Sequence, residues 1–146
     1  RDSSTSRGLG DVYKRQVLPL LETDIMDIIE AVWEEKLDTL DIKWSDKSCA
    51  CVVMASGGYP EKYETGKVIS GLDENGQCEG AFVYHAGTKL EDGKFLTAGG
   101  RVLGITAYGD TLKEALDTAY KAVDTISFEK AHYRHDIGKK ALSALK

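Results

Sequence analysis

The sequence predicts an α+β fold: a mostly antiparallel sheet of about four strands, two main helices packed on one face, and a short C-terminal helix. Two observations lead to this prediction. Apolar runs of strand length between residues 48 and 107 stop at glycine-rich turns, and segments of helical period lie before and after them. No strand–helix–strand alternation is present, so a parallel sheet is not expected.

The first helix is predicted to begin after Thr23, which can cap it, and to end near Lys36. Its apolar residues recur at helical spacing: Ile25, Ile28, Ile29, Val32 and Trp33.

The strands follow this helix and a connector. Glu91–Asp92–Gly93 has the composition of a hairpin turn. Val68–Ile69 forms a further short candidate. The main predicted strands are Ser48 to Ala55, Ala81 to His85, Phe95 to Thr97 and Arg101 to Ala107.

The second main helix begins at Thr111, which forms a capping box with Glu114. A short last helix is predicted from about Ile137 to Leu145, with Asp136 as its N-cap. The apolar stripe of the second main helix, which begins at Thr111, consists of Leu112, Ala115, Leu116, Ala119, Val123 and Ile126.

Composition excludes several classes of protein. The net charge of −5 argues against nucleic-acid binding, which requires clustered Lys and Arg. No apolar run approaches the ~20 residues that span a bilayer, and no signal peptide is recognisable, so a cytoplasmic location is expected.

Cys49, Cys51 and Cys78 lack zinc-site spacing and are interpreted as reduced structural thiols. Residues 1–16 are polar and without periodicity, and are expected to be disordered or non-native.

Four segments carry candidate site chemistry. Ser56–Pro60 is either an anion-binding turn or a plain tight turn. His85 stands beside Thr88 and Lys89, either as a general acid–base or polar contact, or as a structural histidine. Arg101 follows Gly99 and Gly100, and its planar guanidinium suits phosphate or carboxylate, with a surface salt bridge as the alternative. Tyr133–Gly138 more closely fits a helix start than a metal site.

Five segments together resemble the C-terminal domain of the phosphoribosylamine–glycine ligases, which are ATP-grasp enzymes of purine biosynthesis. They keep the family's order and spacing from Val17 to about Leu142. The segments read VLPLLETDIMDII, CVVMASGGYPEKYETGKVISGL, FVYHAGTKL, AGGRVLGITAYGDTLKEALDTAYKAVDTI and YRHDIGKKAL.

The resemblance implies a reaction in which ATP phosphorylates glycine and the amine of 5-phosphoribosylamine attacks the acyl phosphate, yielding glycinamide ribonucleotide. It implies ATP and Mg²⁺ or Mn²⁺ as cofactors of a full-length enzyme, held by segments that residues 1–15 do not resemble. Residues 17–146 then correspond to the C-terminal domain, with the end of the ATP-grasp region at about 17–36. The implied partners are the rest of the same polypeptide and the small substrates, with no nucleic acid and no membrane.

For the site, the resemblance implies that Arg101 holds the substrate phosphate, with Gly99 and Gly100 permitting its approach. His85, Thr88 and Lys89 are weaker candidates for lining the pocket. Neither a catalytic residue nor a metal ligand is expected within the chain, and the isolated chain is expected to be inactive. A stand-alone module that binds a phosphorylated small molecule, or a purely structural packing domain, remains the alternative.

Overall fold

The computed structural model describes residues 14–144. The chain divides into two compact units, Arg1–Lys47 and Ser48–Lys146. The expectation for residues 1–16 therefore falls largely outside the described part of the chain. No helix within residues 14–144 is long and apolar enough to cross a membrane.

The described part of the first unit includes the α-helix α1 at Ile25–Trp33, with 3₁₀ turns at Leu18–Leu20 before it and at Leu37–Thr39 after it. The prediction of Thr23 as its N-cap was wrong. Asp24 caps α1 by accepting a hydrogen bond from the Met26 amide at 2.8 Å. The Thr23 hydroxyl instead accepts one from the Lys43 amide at 2.7 Å, which ties the helix start to the end of the unit.

The apolar stripe of α1 faces solvent. None of the helix residues is buried, and Trp33 is 88% exposed. Solvent exposure of five large apolar residues on one short helix is unusual for the surface of a soluble monomer. The exposed residues are Ile25, Met26, Ile29, Val32 and Trp33.

The second unit contains the strands, which are antiparallel as predicted. Residues 48–144 contain five strands, where the sequence predicted about four: β1 Ser48–Ala55, β2 Phe82–His85, β3 Thr88–Glu91, β4 Lys94–Thr97 and β5 Arg101–Gly109. They form a three-stranded sheet of order β1-β5-β2 and a two-stranded sheet β3-β4. The additional strand, β3, has only Leu90 as an apolar residue, and that side chain is exposed, so it lacks the alternation that marks a strand.

The predicted hairpin turn is confirmed between β3 and β4. Glu91 pairs with Lys94, which leaves Asp92 and Gly93 as a two-residue loop. Both loop residues have positive φ, 51° and 71°. That conformation is the one that matches the twist of paired strands, and it explains the Asp-Gly sequence.

The helix α2, Leu112–Thr125, packs on one face of the three-stranded sheet, and its predicted capping box between Thr111 and Glu114 is confirmed. The main core between them is continuous and lacks charged side chains. Its fully buried members from the strands and α2 include Val52, Met54, Val102, Leu103, Ile105, Ala107, Ala119 and Val123.

A short C-terminal helix, α3, is present at Lys139–Ala144. Asp136 does not cap it, contrary to the prediction. Its carboxylate accepts two hydrogen bonds from the Arg134 guanidinium, at 2.8 and 2.7 Å, and this ion pair lowers the pKa of Asp136. The segment is fixed instead by Tyr120 of α2, whose hydroxyl donates to the Arg134 carbonyl and accepts from the Ile137 amide.

Candidate functional site

The candidate site lies at one end of the three-stranded sheet. β1 ends at Ala55 and β2 at His85, while β5 begins at Arg101. Ala55 pairs with Arg101, and His85 pairs with Leu103, so these strand ends meet. We call the segments that follow or precede them the glycine edge: residues 56–58, 86–87 and 99–101.

Backbones approach closely at the glycine edge. A Cβ atom on Gly87 would lie 2.5 Å from the Arg101 carbonyl oxygen and 2.8 Å from the Gly99 Cα. A Cβ atom on Gly100 would overlap the ring of Tyr59. Only glycine therefore fits at these two positions without displacement of a neighbour.

Ser56 anchors the edge to the β1 end. Its amide donates to the Gly100 carbonyl at 2.8 Å, and its hydroxyl donates to the Gly99 carbonyl at 2.9 Å. The Ser56 side chain is almost completely buried, with 3% of the residue exposed. A further bond, from the Ala98 amide to the Gly87 carbonyl at 2.7 Å, joins the same segment to the β2 end.

Residues 99–101 of the edge carry a guanidinium and backbone amide groups. Arg101 and Ala98 are exposed, and Gly99 is half-buried. Within residues 14–144, the N–H groups of Gly99 and Gly100 donate to no acceptor. Adjacent backbone N–H groups beside a guanidinium are an arrangement that suits an anion.

The side chains of His85 and Thr88 contact each other. The His85 Nδ1 atom lies 2.9 Å from the Thr88 hydroxyl, and its Nε2 atom lies 2.9 Å from the Gly76 carbonyl. A carbonyl can only accept, so Nε2 carries a proton. The ring also packs on Phe95, with centroids 5.0 Å apart. Both ring nitrogens thus join β2 to the turn before it and to β3.

Lys89 belongs to the exposed hairpin. Its ammonium forms an ion pair with Glu91 on the same strand. The structure therefore brings Gly99, Gly100 and Arg101 together, while the side chains of His85, Thr88 and Lys89 make local contacts of their own.

A second ionic group lies beside residues 56–58. The Lys67 ammonium is 2.9 Å from both Glu64 and Glu129. Hydrogen bonds to the two carboxylates raise the pKa of Lys67, and the bond from Lys67 lowers the pKa of Glu64. A small cavity of about 110 Å³ lies among these side chains and Gly57. Because its charges are mutually paired, the group holds the loop after β1 against residues 129–130.

The described thiols lie away from the glycine edge. Cys49 pairs with Tyr108 near the opposite ends of the strands. Burial, and secondarily the neighbouring Cys51, raises the pKa of Cys49 to about 11. All three cysteines are free thiols, and a protonated, half-buried thiol is unreactive.

Comparison with known proteins identifies a family to which this chain is similar. Residues 49–140 match the family model described as phosphoribosylglycinamide synthetase, C domain. The chain is 52% identical over 128 residues to a phosphoribosylamine–glycine ligase of Caldanaerobacter subterraneus, covering 88% of this chain and 30% of that protein. It is 46% identical over 138 residues to the bifunctional purine biosynthetic protein purD of Dictyostelium discoideum, covering 94% of this chain and 17% of that protein.

The chain belongs to the phosphoribosylglycinamide synthetase family. A crystal structure of the phosphoribosylamine–glycine ligase from Thermotoga maritima is also similar, with a TM-score of 0.59 and 32% identity, over 75% of this chain and 27% of that chain. The resemblance inferred from the five sequence segments is confirmed. The chain spans about a third of the length of the curated ligases it matches.

The family-model match begins one residue after the start of the second compact unit. The match begins at residue 49 and the unit at Ser48. All residues of the glycine edge fall within the match. The family-model match thus falls within the β-rich unit, and α1 precedes it.

Sequence reasoning did not identify two contributors to the edge. Ser56 was noticed only as the first residue of a glycine turn, and its partner Gly99 is 43 positions away. Gly87 lies two positions after His85, and its local sequence gives no sign of its contact with Gly99 and Arg101. The glycine pairs were the available signal, but the topology was needed to show that Ser56 and Gly87 contact Gly99.

Proposed function

We propose that this chain is the C-terminal part of an ATP-dependent phosphoribosylamine–glycine ligase. The full-length enzyme would join 5-phosphoribosylamine and glycine into glycinamide ribonucleotide in purine biosynthesis, and a cytoplasmic location belongs to the same proposal. The support is the family membership, together with the 52% identity to a ligase of that name.

Within that enzyme, we assign the glycine edge to the phosphate of 5-phosphoribosylamine. The observation that supports this role most directly is the position of Arg101, exposed at the start of β5 beside the Gly99 and Gly100 amides. A guanidinium next to backbone N–H groups offers several charge-assisted hydrogen bonds to one phosphate. The edge would then position the substrate, and positioning contributes strongly to catalysis of this kind.

ATP and Mg²⁺ or Mn²⁺ belong to the proposed full-length reaction. Residues 14–144 contain no group of three or more His, Cys, Asp or Glu side chains that could hold a metal ion. No metal-dependent step is therefore assigned to these residues, and we expect no ligase activity from the 146-residue chain alone.

We also propose that the rest of the ligase polypeptide covers the apolar face of α1. The chain matches only about 30% of the Caldanaerobacter ligase. Five large apolar residues on α1 are each at least 49% exposed, and burial of such a face would be favourable by about 25 cal/mol per Å².

A chimeric ligase tests the proposed function. Residues 17–146 would replace the matching segment of the Caldanaerobacter ligase, and formation of glycinamide ribonucleotide and ADP would be measured. We expect activity within about tenfold of the parent, a difference of about 1.4 kcal/mol. A folded, soluble chimera without activity would contradict the proposal.

The chimera also tests the role of Arg101. We expect Arg101→Ala to raise the KM for phosphoribosylamine about 10- to 100-fold, because a hydrogen bond to a charged group contributes about 1.5–3 kcal/mol. Arg101→Lys should lie between, since an ammonium lacks the planar fork. Lys113→Ala is the matched control, because Lys113 is an exposed cation on α2 paired with Asp117. Equal KM values for Arg101→Ala and Lys113→Ala would favour a purely structural role for the edge.

A further inference from the structure

We infer that the backbone N–H of Gly100 is a phosphate donor and that Ser56 is the positioning residue that orients it. This inference rests on the proposed phosphate site, and it names a contact that side-chain chemistry alone does not indicate.

The orientation follows from the peptide plane. In a trans peptide, the carbonyl of one residue and the N–H of the next point in opposite directions. The only cis peptide bond in the described part of the chain is Tyr59–Pro60, so the Gly99–Gly100 bond is trans. The Ser56 hydroxyl holds the Gly99 carbonyl at 2.9 Å. The Gly100 N–H therefore points away from Ser56.

The environment of that N–H calls for an acceptor. Gly100 is buried, and its N–H donates to no acceptor within residues 14–144. Buried backbone N–H groups are nearly always hydrogen-bonded, because an unmet donor is costly. Arg101 follows directly in the chain, so an anion held by its guanidinium has an oxygen available for the adjacent amide.

Ser56 restrains the Gly99–Gly100 peptide and the peptide that follows it. Its amide holds the Gly100 carbonyl at 2.8 Å while its hydroxyl holds the Gly99 carbonyl. Consecutive glycines are otherwise free to rotate their peptide planes. Removal of the hydroxyl leaves the second bond in place, so the peptide would lose orientation without loss of the fold.

Nuclear magnetic resonance of the ¹⁵N-labelled 146-residue chain tests the contact directly. Ribose 5-phosphate would be titrated to millimolar concentration, with ribose plus sodium chloride as the phosphate-free control of equal ionic strength. We expect a saturable shift of the Gly100 amide resonance with ribose 5-phosphate and none with ribose plus sodium chloride. Inorganic phosphate should give a shift in the same direction, because the phosphate is the group recognised.

Comparison of Arg101→Ala with wild type separates this inference from the proposed function. Arg101→Ala should abolish the ribose 5-phosphate shifts throughout the edge. If it does so while the wild-type Gly100 amide does not shift, the phosphate site stands and the Gly100 assignment is wrong. If wild type shows no shift at any residue of the edge, both the assignment and the phosphate role are wrong.

Kinetics of the chimeric ligase test Ser56. We expect Ser56→Ala to raise the KM for phosphoribosylamine about three- to tenfold, with kcat and the KM for glycine unchanged, because only phosphate recognition is affected. Ser56→Thr retains the hydroxyl and should restore the KM. An unchanged KM in Ser56→Ala, or an equal loss in both variants, would overturn the positioning role.

Discussion

At the scale of single residues, two glycines illustrate two kinds of constraint: a positive φ and a lack of space for a Cβ atom. Gly71 has φ +88°, and a Cβ atom there would clash with the Thr125 carbonyl at the end of α2. Gly93 also has positive φ, +71°, but a Cβ atom there would meet nothing within 4 Å. The backbone conformation is strained for any other residue in both cases, and the lack of space applies only to Gly71.

We therefore expect Gly71→Ala to lower the free energy of unfolding by about 2–4 kcal/mol, since it combines positive φ with a backbone clash. Gly93→Ala should cost about 1 kcal/mol, the cost of the left-handed conformation alone. Urea denaturation of both variants measures the difference. Equal losses would mean that Thr125 can move aside and that the close packing at Gly71 is unimportant.

At the scale of elements, α2 illustrates a helix whose start is specified locally. The Thr111 hydroxyl accepts from the Glu114 amide at 3.2 Å, and the Glu114 carboxylate accepts from the Thr111 amide at 3.2 Å. Both groups lie within one turn, which is why the capping box could be predicted from the sequence. The cap fixes the first turn of the helix that closes the core.

We expect Thr111→Ala to lower the free energy of unfolding by about 1 kcal/mol, because the Glu114 amide loses its acceptor. Thr111→Ser keeps the hydroxyl and should lie within about 0.5 kcal/mol of wild type. Thermal and urea unfolding of the three proteins measure this. A Ser variant as unstable as the Ala variant would show that the methyl group, rather than the cap, matters.

At the scale of the whole molecule, the exposed face of α1 has a consequence for the isolated chain. We expect the 146-residue chain to self-associate at micromolar concentration, because Ile29 and Val32 are more than half exposed on an apolar stripe. Ile29→Glu should shift the chain toward monomer in sedimentation velocity. Leu90→Glu is the matched control, since Leu90 is 63% exposed but lies on the β3-β4 hairpin.

A monomeric wild type would contradict this expectation, and so would an equal effect of both substitutions. In the latter case association would depend on general apolar exposure, and α1 would lose its support as the face covered by the rest of the ligase.

The parts of the fold that depend on near neighbours were predicted well. The β1 limits, the hairpin turn at Asp92–Gly93 and the α2 cap all arise from residues a few positions apart. Errors occurred where a group outside the helix competes for the side chain of the predicted cap, from 20 positions away in one case and two in the other. Thr23 bonds to Lys43 instead of capping α1, and Asp136 accepts from Arg134 instead of capping α3.

The sequence alone determined the family, the antiparallel α+β class and the glycine pairs next to Arg101, because these depend on residue order and local spacing. Tertiary structure alone decided that Ser56, Gly87 and Gly99 form one edge, and that His85 bonds to Gly76. The physical reason is that a sheet brings together strand ends that are tens of residues apart, and a single hydroxyl or missing Cβ carries no sequence signal of the partner it will meet.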